Sequence, residues 1–269
     1  MAKIKDPVRF SEHFKIDDAV LADLGVLDPT LNADTSLFLD PLLLSHSRHP
    51  EIRDGAHATY EQHFTTVIKL LRHARSPTDV AWRSAERHLS FPEIKGTCLG
   101  YGAHSVSGSG SGSDMTGLLM DTARQIVALG VEDPDLFVAM ALFEDGFGPD
   151  RISDMTANVI FGDLLRFNRR VLAGLPVPCE TTRLALRNGR AFDAVLPVNP
   201  YVRGGAPIVL VPADVLRALP IARDWSEVAD AASKNAELRQ RVNAQIARFW
   251  EAKSLKDKHE LRRWALSGK

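Results

Sequence analysis

Cysteine is scarce in this chain: two residues, Cys98 and Cys179, with no C-x-x-C spacing between them. That excludes a disulfide framework and fits free thiols in a reducing compartment. A surplus of either charge is also missing. The 33 Lys and Arg stand against 34 Asp and Glu, a net charge of −1, so no global field draws the chain onto nucleic acid or an anionic bilayer. Long apolar runs are absent too. Runs such as Ile208 to Val211 and Leu42 to Leu44, and even Leu136 to Phe143, fall far below the roughly 18 residues of a membrane span. Met1 to Asp6 carries two lysines but no apolar segment and no small-residue cleavage site, so a cytoplasmic location is expected. No self-similarity at the period of a solenoid is visible.

What is there is the composition of a globular protein, 45% hydrophobic and 25% charged, with length for one principal domain and an appendage. Apolar positions Ile16, Val20, Leu21 and Leu24 suit a helix in the stretch Phe10 to Gly25, with Asp17 and Asp18 at its head and Gly25 as its stop. Thr35 to Asp40 reads as a short strand ended by Pro41. Pro50 to His73 and Pro77 to His88 form an αα-hairpin. Helical pattern returns at Asp114 to Gly130, at Pro134 to Phe143, and over Asp150 to about Leu172 with a stripe of Ile152, Met155, Val159, Leu164, Phe167 and Val171. Thr181 to Arg187, Ala191 to Val198 and Ile208 to Pro212 read as a β meander, with Asn188-Gly189 as a hairpin signal. Helices are expected over Ala213 to Leu219, Ser226 to Ala232 and Asn235 to Trp250. The expected class is α+β, mostly helical, with a small, largely antiparallel sheet drawn chiefly from 181–212. A division into a helical part, 1–175, and a β meander with C-terminal helices, 176–269, packed as one unit, follows.

Chemistry concentrates at Glu144 to Asn158. Five charged groups surround a Gly-Phe-Gly-Pro turn, and Asp150, Asp154 and Asn158 fall at i, i+4 and i+8, one polar face of a helix. Hard cations such as Mg²⁺ or Mn²⁺ take carboxylate oxygens plus waters and substrate phosphate, so Asp150 and Asp154 suffice for a metal pair. Glu144 or Asp145 is placed to add a ligand or a base, and Arg151 a contact to substrate. The same acids also suit a plain helix start, with Asp150 as N-cap and Asp154 paired locally to Arg151.

Two further segments bear on this chemistry. Ser107 to Ser113 alternates serine and glycine directly before the Asp114 helix. Ser109, Gly110, Ser111 and Gly112 can let main-chain amides converge on a phosphate, or form only a mobile loop. The run lacks the Walker lysine and does not give G-x-G-x-x-G. Glu93-Ile94-Lys95 has the E-x-K half of the metal-dependent nuclease pattern, in which the acid holds the cation and the lysine supports the nucleophilic water or phosphate charge. Asp40 is the one candidate for the upstream acid, yet a two-helix hairpin separates it from Glu93, unlike the short strand-to-strand spacing of restriction-endonuclease-like folds. The nine histidines match neither H-E-x-x-H nor a zinc frame, and no G-x-S-x-G is present. Lys253, Lys256, Lys258, Arg262, Arg263 and Lys269, with Trp264 among them, form the only concentrated basic stretch.

Two functions of different class remain. One is a divalent-metal-dependent phosphoester hydrolase, such as a nuclease, using Mg²⁺ or Mn²⁺ on nucleic acid or nucleotide. The other is a non-catalytic regulatory or partner-binding subunit of a cytoplasmic complex, docking a protein or a second copy. If the acidic helix face and the Glu93 segment converge, the first gains.

Overall fold

The computed structural model describes residues 6–92, 94, 96–100, 116–117, 119–121, 123–124, 127, 149–186 and 189–218. Two compact units emerge, each assembled from three stretches of chain. The first combines Met1–Tyr60, Phe91–Gly112 and Gly148–Leu219; the second combines Glu61–Ser90, Ser113–Phe147 and Pro220–Lys269.

In the first unit, the helix expected near the N-terminus is two. Lys15 adopts a left-handed φ of 55° and closes α1 (Phe10–Phe14), and Asp17 starts α2 (Asp18–Leu24) by accepting from the Ala19 amide at 2.9 Å. Gly25, at φ 68°, ends α2 as the sequence indicates. Strand β1 (Leu37–Leu39) stops before Pro41, where a 3₁₀ helix (Pro41–His46) begins, capped by Asp40 on the Leu42 amide. Glu51–Ala56 is a π-helical turn that runs into α3 (His57–His73). Its Gly55 permits close approach, because a Cβ there would meet Asp163 Oδ1 at 2.8 Å.

The helix expected over 150–172 is broken. Helix α5 (Pro149–Val159) and α6 (Phe161–Leu172) meet at Ile160, whose φ of −90° and ψ of 13° depart from α-helical values. The Arg190 guanidinium donates to the Asn158 and Val159 carbonyls at 3.1 and 3.3 Å, supplying partners to the end of α5. Both halves bury apolar stripes, Ile152, Met155 and Val159 on one and Leu164, Phe167 and Val171 on the other, so the periodicity reads as continuous.

Among the described residues there are three two-stranded antiparallel sheets. Strands β2 (Glu180–Ala185) and β3 (Ala191–Leu196) form a hairpin, with Gly189 at φ 86° in its turn. Strands β4 (Val198–Asn199) and β5 (Ala206–Pro207) pair, and β6 (Leu216–Ala218) pairs with β1, Leu39 opposite Leu216. The class is α+β. Two further elements differ from the sequence reading. Ala213 to Leu219 is a 3₁₀ turn (Ala213–Val215) followed by β6 rather than a helix. Ile208 to Val211, expected as a meander strand, is fully buried yet joins no ladder. Its backbone groups are satisfied from several directions instead. Ile208 N donates to the Pro197 carbonyl, Val209 N to Gly96 and Leu27 N to the Val211 carbonyl. Asn168 exchanges two hydrogen bonds of 2.8 Å with the main chain of Leu210. A buried backbone that leaves the sheet still needs every partner.

In the second unit, α3 buries Phe64, Val67, Ile68 and Leu71, and α4 (Val80–His88) returns as the expected hairpin. Asp79 caps α4 on the Trp82 amide at 2.7 Å, and His63 Nε2 meets the His88 carbonyl at 3.1 Å. The described residues of the 116–127 stretch are helical, with Leu119, Met120 and Ala123 buried.

Candidate functional site

Helix α5 holds the residues on which the metal expectation rests. With Ile152, Met155 and Val159 turned into the core, Asp150, Arg151 and Asp154 are left half-buried at its edge. Asp150 and Asp154 are one turn apart, where side chains on a helix are neighbours. Two anchors fix the helix. The Ser153 hydroxyl accepts from the Leu39 amide of β1 at 3.1 Å. Asn158, 1% exposed, donates through Nδ2 to the Pro92 carbonyl and to the Asp154 carbonyl. Its Oδ1 is buried without a hydrogen-bond partner, which leaves that atom able to accept from a donor or a cation.

These contacts bring α5 against both the strand that leads to Asp40 and the residue that precedes Glu93. The chain beyond runs alongside β1's approach, since Thr35 N donates to the Cys98 carbonyl at 2.7 Å and Gly100 N to the Thr35 carbonyl at 3.1 Å, a parallel bridge. Asp40 itself is 1% exposed and accepts from Arg217 Nε at 2.7 Å.

Asp150 is the second residue of α5, inside its first turn rather than capping it as the alternative reading expects. Its charge still suits the helix dipole there. Glu93, Lys95, Glu144 and Asp145, the glycine-serine residues Ser109, Gly110, Ser111 and Gly112, and the basic stretch from Lys253 lie outside the described residues. Among the described residues no group of three or more His, Cys, Asp or Glu side chains is arranged to hold a metal ion. Asp150 and Asp154 are the two carboxylates of the metal expectation that lie among the described residues, both on α5.

A second feature escapes sequence reasoning. An open groove of about 710 Å³ is lined by Arg9, Asp28, Thr30, Thr35, Arg48 and Asp214, with Ala22, Gly25, Val26, Leu27 and Ala213 between them. Asp28 accepts from the Ser11 amide and hydroxyl at 2.9 and 2.7 Å. Asp214 accepts from the Ser47 hydroxyl and the Arg48 amide. Arg48 lies over Gly25 and donates through Nη2 to the Ala22 and Asp23 carbonyls at the end of α2. Behind this wall sits His49, buried, with Nδ1 facing Arg170 Nη2 at 3.1 Å. Because a guanidinium only donates, Nδ1 is the acceptor and the proton of the neutral ring is on Nε2. Nε2 faces the Gly25 carbonyl without completing a hydrogen bond. Burial first, then Arg170 and Arg48, hold its pKa below the ordinary value, against a pull from Asp214.

Buried charge also gathers where the π-helical turn faces α6. Burial raises the pKa of Asp163, opposed by the Thr59 hydroxyl, the ion pair to Arg166 and the charge of Arg190. Burial likewise lowers Arg190, whose guanidinium lies 5.0 Å from the Phe192 ring centre. The Cys98 thiol is pushed up to about 12 by burial, with Asp34 adding to it, and is a thiol at neutral pH.

The fold and these sites define an α+β protein with a half-buried carboxylate pair on one helix and an arginine-lined groove elsewhere in the same unit. A family model matches residues 15–223, and the chain belongs to that family, described as Domain of unknown function (DUF8370). Neither the curated proteins nor the solved structures contain a match. No helix among the described residues is long and apolar enough to cross a membrane.

Proposed function

We propose that the chain is a divalent-metal-dependent phosphoester hydrolase, with Asp150 and Asp154 as the carboxylate ligands of Mg²⁺ or Mn²⁺ and a phosphodiester of nucleic acid as substrate. The observation that carries this reading is the bond from Asn158 to the Pro92 carbonyl. It ties the acid-bearing helix to the residue before Glu93, which supports reading the two segments as parts of one site. Magnesium is commonly held by one or two carboxylates plus waters and substrate phosphate, so a two-carboxylate set is compatible with such a site. The cation would polarise the phosphoryl oxygens and lower the pKa of the attacking water. Glu93, Glu144 or Asp145 supplies the base, Lys95 and Arg151 balance the developing charge, and Ser109 to Gly112 cover the phosphate.

The test is hydrolysis of bis(p-nitrophenyl) phosphate and nicking of plasmid DNA by the full chain with Mg²⁺ or Mn²⁺. Activity that disappears in chelator and falls at least tenfold in Asp150→Asn and in Asp154→Asn supports the reading. Activity indifferent to chelator and to both substitutions contradicts it and leaves the partner-binding subunit as the better account.

A further inference from the structure

The groove framed by Arg9 and Arg48 is independent of α5, and its lining has a consistent bias. Both of its acids are occupied by the protein's own donors. Asp28 takes the Ser11 amide and hydroxyl, and Asp214 takes the Ser47 hydroxyl and the Arg48 amide. The arginines are not used up in the same way. Arg9 is 58% exposed and forms an ion pair with Asp28 at 3.8 Å, too long for a hydrogen bond, so its guanidinium hydrogens remain to be given. Arg48 commits Nη2 to the end of α2, and among the described residues its Nε and Nη1 make no hydrogen bond. The Thr35 hydroxyl accepts from the Thr30 amide at 3.2 Å, so its own proton remains to be given. The formal charges of the two arginines and two aspartates balance, and the surplus is of hydrogen-bond donors, most of them on guanidinium groups.

The frame holding these donors is well fixed. Arg9 and Thr30 form an antiparallel bridge on one side, and Val26 and Pro212 form another on the opposite side. Gly25 is required between them, because its positive φ and the Arg48 guanidinium packed on it exclude a side chain. Val26 and Leu27 supply an apolar floor. A volume of this size is that of a small-molecule site, and guanidinium forks match the paired oxygens of phosphate and carboxylate.

We infer that this groove binds a small organic anion, with its phosphate or carboxylate oxygens between Arg9 and Arg48 and its apolar body on Val26 and Leu27. The site is separate from the proposed hydrolytic centre and does not depend on a metal.

Phenyl phosphate, benzoate and phenol test this by calorimetry on the full chain in chelator, so that a cation-dependent site contributes nothing. At least one of the two anions binds at millimolar concentration or below, phenol binds at least tenfold more weakly, and the tighter anion identifies the oxyanion. Arg9→Gln, on an exposed side chain, weakens that anion about tenfold with an unchanged melting temperature. Arg48→Gln weakens it as well, read against its own melting curve because Arg48 also closes α2. Thr35→Val gives a smaller loss. Binding of phenol equal to that of the anions, affinity unchanged in Arg9→Gln, or no binding of either anion overturns the inference.

Discussion

Gly25 and His49 show at the residue scale how much of the groove's wall depends on single atoms. Gly25 ends α2 in the left-handed region and carries the Arg48 guanidinium directly on its Cα. Gly25→Ala should cost about 1–2 kcal/mol for the backbone conformation alone, measured by urea unfolding, and should displace Arg48 and so weaken anion binding in the same variant. His49 is a buried base whose folded pKa lies below the 6.5 of the free side chain. Below 6.5 the unfolded chain therefore takes up a proton that the folded chain refuses. The stability it contributes is present above 6.5 and is lost as pH falls from there through the depressed value. Denaturant melts between about pH 8 and pH 5 should show this fall in the wild type and a flatter profile in His49→Gln. Asp163 contributes with the opposite sign, because its pKa is raised: its share is full below 3.8 and lost as pH rises through the raised value. A profile of His49→Gln as steep as the wild type's would remove His49 from this account.

Elements whose boundaries rest on local chemistry are legible in the sequence, and those set by distant partners are not. Asp17, Gly25, Pro41 and Gly189 end or start elements where their own conformational limits require it. The break at Ile160 is invisible because it depends on Arg190 reaching back to α5 from the β hairpin. Residues 216–218 carry no strand signature strong enough to override a helical reading; they become β6 only because β1 lies alongside. Ile208 to Val211 has the composition of a buried strand, but Asn168, Gly96 and Pro197 satisfy its backbone where a sheet would. Asn168→Leu should therefore leave the Leu210 amide and carbonyl unpaired in the core and cost about 2–3 kcal/mol, with the urea m-value unchanged. Arg217→Gln should cost about 2 kcal/mol, read by urea unfolding, by removing the charged hydrogen bond from Arg217 to the buried Asp40 carboxylate.

On the scale of the whole molecule, the candidate site was half legible. The i, i+4 spacing of Asp150 and Asp154 is a property of the helix alone and survives in α5. The contact that gives it a neighbour, Asn158 to Pro92, spans 66 residues and has no sequence signal. The groove was wholly illegible for the same reason, since Arg48 and Asp214 meet across 166 residues. Neither arginine carries a motif, and Gly25 is legible only as a helix stop, not as the place where Arg48 packs. The central claim is that the edge of α5 gathers oxygen around a cation. Isothermal titration of Mn²⁺ into the wild type and into Asp154→Asn tests it most directly. The account predicts a saturable heat in the wild type that weakens at least tenfold in Asp154→Asn, with both proteins melting alike. Identical titrations of the two, with or without heat, would contradict it.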